Sequence, residues 1–209
     1  MIKLVIFDFD GTIVDSKRAY YNSISRHLIP RGIKGDEINR AIALGLSLSE
    51  TLKRFIPGFF SRWLMRRSIM GDVIGRVNGI KKCHDVSLIK EIPRRKILVT
   101  NSLSGFVYPV LKHLGIRNYF AEVHCTDEFG DKGKFIMTYL KLHGIRPNEA
   151  FYIGDRVSDI KLAKKLGLHN IIINGRCAWD SREEVLRAKP EFIVPDLRDV
   201  KRIVERFRG

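Results

Sequence analysis

Met1–Asp15 reads MIKLVIFDFDGTIVD, and this stretch changes character halfway along. Leu4–Phe7 is a continuous apolar run, the signature of a strand covered on both faces of a parallel sheet. It breaks off into Asp8-Phe9-Asp10-Gly11-Thr12, so two carboxylates stand at the C-terminal edge of a buried strand, followed by a glycine that lets the chain turn. Open α/β sheets place their ligands at that edge. Paired carboxylates repel one another and are costly to desolvate without a cation, so the stretch implies a bound metal and chemistry.

The remainder of the chain fits an α/β reading. Ser16 is a candidate N-cap for a helix through about Leu28, and Asp36–Leu44, Ser49–Phe55 and Phe59–Val77 read as further helices, the second with Ser47 or Ser49 as its cap. From Ser16 to about Asn78 no strand is expected. After that the rhythm alternates. Val86–Ile92 is a predicted helix, Lys96–Val99 a strand running into Thr100-Asn101-Ser102, and Gly105–Leu114 a helix. Phe120–His124 reads as a strand, Gly133–His143 as a helix, and Ala150–Ile153 as a strand ending in Gly154-Asp155. Val157–Leu166, His169–Ile173, Ser181–Ala188, Phe192–Val194 and Leu197–Phe207 complete the alternation. The expected fold is a Rossmann-like, doubly wound parallel sheet with right-handed crossovers. Residues 1–15 and 79–209 would form the core, and residues 16–78 an all-helical cap inserted after the first strand.

Composition narrows the class. The 209 residues are 44% apolar, enough for one sizeable core, and no span approaches membrane length. Cys83, Cys125 and Cys177 are odd in number and lack metal or redox spacing, which points to a reducing cytoplasm. The net charge of +15 fits attraction of anionic substrates, nucleic-acid contact or a charge-rich surface. Between Lys53 and Lys96, twelve Lys and Arg stand against Asp72, Asp85 and Glu91. Those cations, with Arg18 and Arg40, either form solvated helix faces or face the crevice. Phe59, Phe60 and Trp63 are expected to pack cap against core. His84 and His124 lie near the predicted crevice without metal-ligand spacing.

Three predicted strands end in polar residues: Asp8 and Asp10, then Thr100 and Asn101, then Asp155 with Asp159 beyond. In a parallel sheet these ends converge, and Lys132 joins them from a loop entering a helix. Carboxylates, a hydroxyl and a lysine suit a hard cation and a phosphoryl group. Asp8-Phe9-Asp10-Gly11-Thr12, Thr100, Lys132 and Gly154-Asp155-x-x-x-Asp159 resemble the four motifs of the haloacid dehalogenase-like hydrolase superfamily. Ile42-Ala43-Leu44-Gly45-Leu46-Ser47 and the helical insert resemble its phosphoglycolate phosphatase-like branch.

That resemblance implies a phosphatase acting on a small phosphorylated metabolite. Asp8 would be the nucleophile, forming an aspartyl-phosphate, and Asp10 the general acid and base. Mg²⁺ would bind the carboxylates of Asp8 and Asp155 and the carbonyl of Asp10, with Asp159 assisting. Gly11, Thr12, Thr100, Asn101 and Lys132 would hold the phosphoryl group, with Lys134 a competitor for the lysine role. An Asp at position 10 favours phosphoryl transfer over carbon–halogen cleavage. The insert departs from typical members after Gly58, so substrate identity does not carry over. Two alternatives share the fold: a phosphomutase on a sugar phosphate, and a non-catalytic nucleic-acid-binding protein suggested by the +15 charge. Monomer and dimer stay equally open.

Overall fold

The computed structural model describes residues 1–44 and 48–207. The buried run becomes β1 (Leu4–Phe7), and the chain leaves it through a tight loop into β2 (Val14–Asp15). Four helices follow: α1 (Lys17–Leu28), α2 (Gly35–Ala43), α3 (Leu48–Phe55) and α4 (Phe59–Ile74). The chain returns through β3 (Lys81–Lys82) and a single helical turn, α5 (Leu88–Glu91), to β4 (Arg95–Thr100). Then come α6 (Ser104–His113), β5 (Glu122–Cys125), α7 (Thr126–Phe129), α8 (Lys132–Leu142) and β6 (Ala150–Gly154). The last elements are α9 (Val157–Leu166), β7 (His169–Ile173), α10 (Arg182–Arg187), β8 (Phe192–Val194) and α11 (Leu197–Arg206).

Six strands form one sheet in the order β5-β4-β1-β6-β7-β8, every pair parallel. The chain fills one side of β1 first, then crosses to the other with β6. The strand order therefore reverses beside β1, and a crevice opens there at the C-terminal edge. Register sharpens this: Phe7 lies opposite both Leu98 and Ile153, so β1, β4 and β6 end nearly level.

Alternation along β1 fills both layers. Val5 and Phe7 join the apolar cluster containing Phe106, Val110, Leu197 and Val200, whereas Leu4 and Ile6 join Ile136, Leu140 and Ala163. Helices α6 and α11 thus cover one face, and α8 and α9 the other. Fully burying each large side chain contributes about 1.5–3 kcal/mol, which is why an uninterrupted apolar run marks the central strand.

Several sequence expectations need correction. The predicted helix over Val86–Ile92 shrinks to α5, because the Asp85 side chain takes the Ser87 N–H at 3.1 Å and Pro93 stops the turn. The helix over Phe59–Val77 ends at Ile74, and Gly75 follows. The stretch from Ser16 to Asn78 is free of strands among its described residues, as expected, but on either side of it the short β2 and β3, which the sequence alone does not assign, pair with Val14 opposite Lys82 and Asp15 opposite Lys81. Ser16 stands at the start of α1 without capping it. Ser49 lies inside α3 rather than before it, and Ser47, with Gly45 and Leu46, lies outside the described residues.

The largest correction concerns Phe59, Phe60 and Trp63. They are 79%, 68% and 48% exposed and do not seal the insert against the sheet. The buried face of α4 is instead Met65, Ile69, Met70 and Val73. Phe60 and Trp63 point away from that stripe, stacked on each other at 6.0 Å with Arg67 over the indole.

Edge strand β5 carries a carboxylate that ties stability to acid pH. Burial pushes the Glu122 carboxyl up, but hydrogen bonds from Tyr139 (2.7 Å), Arg95 and His124 (3.0 Å) outweigh it and hold its pKa at about 2, below the ordinary 4.5. A folded-state value below the unfolded one means the contribution is complete above pH 4.5 and disappears as pH falls from 4.5 through 2. Glu122→Gln is therefore expected to flatten the acid limb of a Tm-versus-pH curve over that window. An acid limb identical to wild type refutes the assignment.

Candidate active site

At the end of β1 the backbone folds back on itself. Ile13 N–H donates to Phe9 O at 2.9 Å and Gly11 N–H to Val14 O at 2.9 Å. Phe9 is fully buried, edge-on to Phe106 at 6.1 Å, which anchors the loop between the two aspartates. Gly11 has φ +76°. A Cβ there would stand 2.3 Å from Asp155 Oδ2 and 2.6 Å from Trp179 Cδ1, so glycine is required by space as well as by φ.

Asp8, Asp155 and Asp159 come together, each buried, with a carboxylate oxygen of each within 4.8 Å of the others. Among the described residues this is the one cluster of three such groups. Lys132, the first residue of α8 and itself buried, donates to Asp8 Oδ1 at 2.6 Å. Lys134 is exposed, and its backbone N–H caps the helix on Asp131. Of the two candidate lysines, Lys132 is the one that reaches the carboxylates.

Asp155 is held on both sides. Thr12 donates its hydroxyl to Oδ1 at 3.2 Å and Trp179 its backbone N–H to Oδ2 at 2.7 Å. Asp159 accepts from the backbone N–H groups of Asp155 (3.2 Å) and Arg156 (3.0 Å) and from Tyr152 OH (3.2 Å). A Cβ on Gly154 would meet Asp159 Cγ at 2.4 Å, which explains the glycine before Asp155. Burial, then the charges of Asp159 and Asp8, push the Asp155 carboxyl well above the ordinary carboxylate value. Burial and the Asp8 charge push Asp159 up to about 6. Lys132 brings one positive charge to three carboxylates. The excess negative charge and the all-oxygen donor set fit a hard divalent cation.

Asp10 has different surroundings. Ser16 donates to its Oδ1 and Ser102 to its Oδ2 at 2.6 Å. Burial nevertheless pushes its carboxyl up to about 6, against those two hydroxyls. The Ser16 hydroxyl proton thus goes to Asp10, and with φ −106° and ψ −9° the residue lacks the extended backbone that would turn its oxygen onto the first N–H groups of α1.

The proposed phosphoryl-binding residues divide. Thr100 is buried at the end of β4, its Oγ1 accepting the Ser102 N–H at 3.0 Å, which leaves the Thr100 hydroxyl proton available. Gly11 N–H donates to Val14 O and the Thr12 hydroxyl to Asp155, and Asn101 is exposed at the end of β4. Arg18 and Arg40 are exposed, and the Arg40 Nε bonds Asp36 O at 3.4 Å. His124 is bound to Glu122 and packs on Phe135 at 4.6 Å; neither it nor His84 belongs to the carboxylate cluster.

Sequence reasoning missed Ser102, Tyr20, Trp179 and Arg156. Arg156 donates to Asp180 Oδ1 at 3.2 Å and to Ile42 O at 2.7 Å, joining the end of β6 to the helical insert. Ser102 carried the one available signal, since it follows Thr100-Asn101 at a strand end.

Comparison with known proteins supplies the family. A family profile described as haloacid dehalogenase-like hydrolase matches residues 5–173. The chain is 27% identical over 222 residues to a phosphoglycolate phosphatase of Vibrio vulnificus, covering 97% of this chain and 96% of that protein. A phosphoglycolate phosphatase of Synechococcus elongatus is 23% identical over 211 residues, with 97% of each covered. In fold, the chain is similar to a haloacid dehalogenase-like family hydrolase of Streptococcus pneumoniae (TM-score 0.81, 18% identity, 97% and 98% covered). It is similar likewise to CbbY of Rhodobacter sphaeroides solved with phosphate (TM-score 0.78, 18% identity, 96% of each). With its loop of aspartates, its lysine and its paired acidic residues in the places described, the chain belongs to the haloacid dehalogenase-like hydrolases.

Proposed function

We propose that this hydrolase is a Mg²⁺-dependent phosphatase of small phosphate monoesters, working through an aspartyl-phosphate on Asp8, with residues 16–78 as a cap over the crevice. The observation that carries the reading is the buried Asp8 carboxylate, paired with Lys132 at 2.6 Å and grouped with Asp155 and Asp159. Two phosphoglycolate phosphatases covered over nearly their whole length support the substrate class.

Asp8 and Asp155 would hold Mg²⁺ through carboxylate oxygens and Asp10 through its carbonyl, while Asp159, its oxygens taken by backbone N–H groups and Tyr152, orients the loop. When bound, the ion supplies the positive charge that lets an anionic nucleophile approach an anionic substrate. Asp8 attacks phosphorus, and the bond from phosphorus to the leaving oxygen breaks in line. Asp10 gives its proton to that oxygen, then takes one from the water that attacks phosphorus and releases Asp8. Lys132 and the Thr100 hydroxyl hold phosphoryl oxygens through the transfer. A helical cap suits small esters, since closing it excludes water. No helix among the described residues is long and apolar enough to cross a membrane.

The test is phosphate release across a panel of phosphorylated metabolites, with Mg²⁺ and with chelator. Release from small monoesters, abolished by chelator and restored by Mg²⁺, is expected. No release with Mg²⁺ present, activity indifferent to chelator, or an isomerised sugar phosphate in place of free phosphate overturns the reading. Salt-sensitive nucleic-acid binding without phosphate release would favour the binding-protein alternative.

A further inference from the structure

The Asp10 carboxylate is fixed at both oxygens, and one of its supports reaches into the helical insert. Ser16 donates to Oδ1 and Ser102 to Oδ2 at 2.6 Å. The Ser102 oxygen in turn lies 2.8 Å from the hydroxyl of Tyr20, in α1. Because Ser102 uses its proton on Asp10, the Tyr20 hydroxyl must be the donor between them. The result is a directional chain: Tyr20 to Ser102 to Asp10 Oδ2.

The surroundings hold this chain in place. Tyr20 and Ser102 are 9% and 7% exposed. The Tyr20 ring sits edge-on to Phe106 at 5.7 Å and to Trp179 at 5.9 Å. Trp179 is also the residue whose N–H holds Asp155. A tyrosine of the insert thus contacts both Ser102, beside Asp10, and Trp179, beside Asp155.

We propose that Tyr20 is a positioning residue for proton transfer: through Ser102 it sets the plane of the Asp10 carboxyl, so that the leaving oxygen is protonated efficiently only with α1 seated against the sheet. This rests on the reading of Asp10 as the general acid. Removing the Tyr20 hydroxyl frees Ser102 to rotate and leaves Asp10 anchored by Ser16 alone. An ester with an alkyl leaving group needs the proton at bond cleavage. An aryl phosphate, whose phenolate departs readily, does not. The two substrates separate a fault in proton delivery from general damage.

The experiment compares wild type with Tyr20→Phe, which keeps the ring contacts, on an alkyl phosphate and on an aryl phosphate. For the alkyl ester kcat/KM, which reports only the steps up to transfer onto Asp8 and so leaves out the later hydrolysis that Asp10 also serves, is expected to fall about tenfold, with the aryl phosphate kcat/KM within about twofold of wild type. Ser102→Ala should give the same pattern, and the double variant should lose no more than either single one. Equal loss of kcat/KM on both substrates, no such loss on the alkyl ester, or additive losses in the double variant overturns the proposal. A crystal structure of Tyr20→Phe supplies a readout independent of turnover, because the Asp10 carboxyl should adopt a second orientation. An Asp10 conformer unchanged from wild type overturns the positioning role, whereas a wild type that releases no phosphate overturns the phosphatase reading itself.

Discussion

Asp8→Asn is expected to lower phosphate release by about a thousandfold or more while the protein still folds. The two effects separate because the substitution removes two opposing interactions. Asp8 is the carboxylate bound to Lys132, and the asparagine leaves a buried ammonium facing an amide. Breaking a buried ion pair in isolation costs roughly 3–5 kcal/mol. Here, however, Lys132 also interacts with Asp159, and Asp8 itself raises the pKa of Asp155 and Asp159, so removing it relieves that repulsion. The net change in stability should stay below about 2 kcal/mol. Catalysis has no such compensation, since an amide oxygen is a poor nucleophile toward a phosphoryl group. Phosphate release measured beside a thermal melt decides it. Substantial turnover in a folded Asp8→Asn chain sinks the nucleophile assignment.

Gly11→Ala is the second large effect, and it works through shape rather than charge. The new Cβ would lie 2.3 Å from Asp155 Oδ2 and 2.6 Å from Trp179 Cδ1, at φ +76°. The left-handed backbone costs an L-residue about 1–2 kcal/mol, and the overlap adds to it, for a total of about 3 kcal/mol. Asp155 cannot keep its present place, and a displacement of the order of 1 Å at a reacting site can cost about a hundredfold in rate. A matched control exists in Gly144, which has φ +63° and no atom within 4 Å of where a Cβ would stand. Gly144→Ala should cost only about 1–2 kcal/mol and leave turnover unchanged. If both variants behave alike, backbone conformation alone accounts for Gly11, and the crowding against Asp155 is irrelevant.

What could be read in advance follows a physical pattern. Leu4–Phe7, Lys96–Val99 and Ala150–Ile153 are recognisable because a strand buried on both faces must be apolar at nearly every position. Where each run stops at an Asp or Thr, a parallel sheet brings the stops together, so Asp8, Thr100 and Asp155 converge without knowledge of a single contact. Lys132 is identifiable as a residue at a loop-to-helix junction, although spacing leaves Lys134 as a rival. Burial against Asp8 distinguishes them. The two-residue strands β2 and β3 are illegible because two residues carry no period. Phe59, Phe60 and Trp63 mislead because an aromatic residue in a helical pattern is ordinarily a core residue, and here the stripe of Met65, Ile69, Met70 and Val73 already fills that role.

By itself, then, the sequence determined the parallel sheet, the edge on which chemistry occurs and the residue types gathered there, since periodicity and polar strand ends are properties of neighbouring positions. The tertiary structure alone decided the partners: Ser16 for Asp10, Val14 for the Gly11 amide, Trp179 for Asp155, and Tyr20 for Ser102 across 82 positions. A hydroxyl or amide can satisfy its hydrogen bond with any acceptor within reach. Which acceptor that is depends on how the insert and the sheet pack together, and local sequence does not encode it.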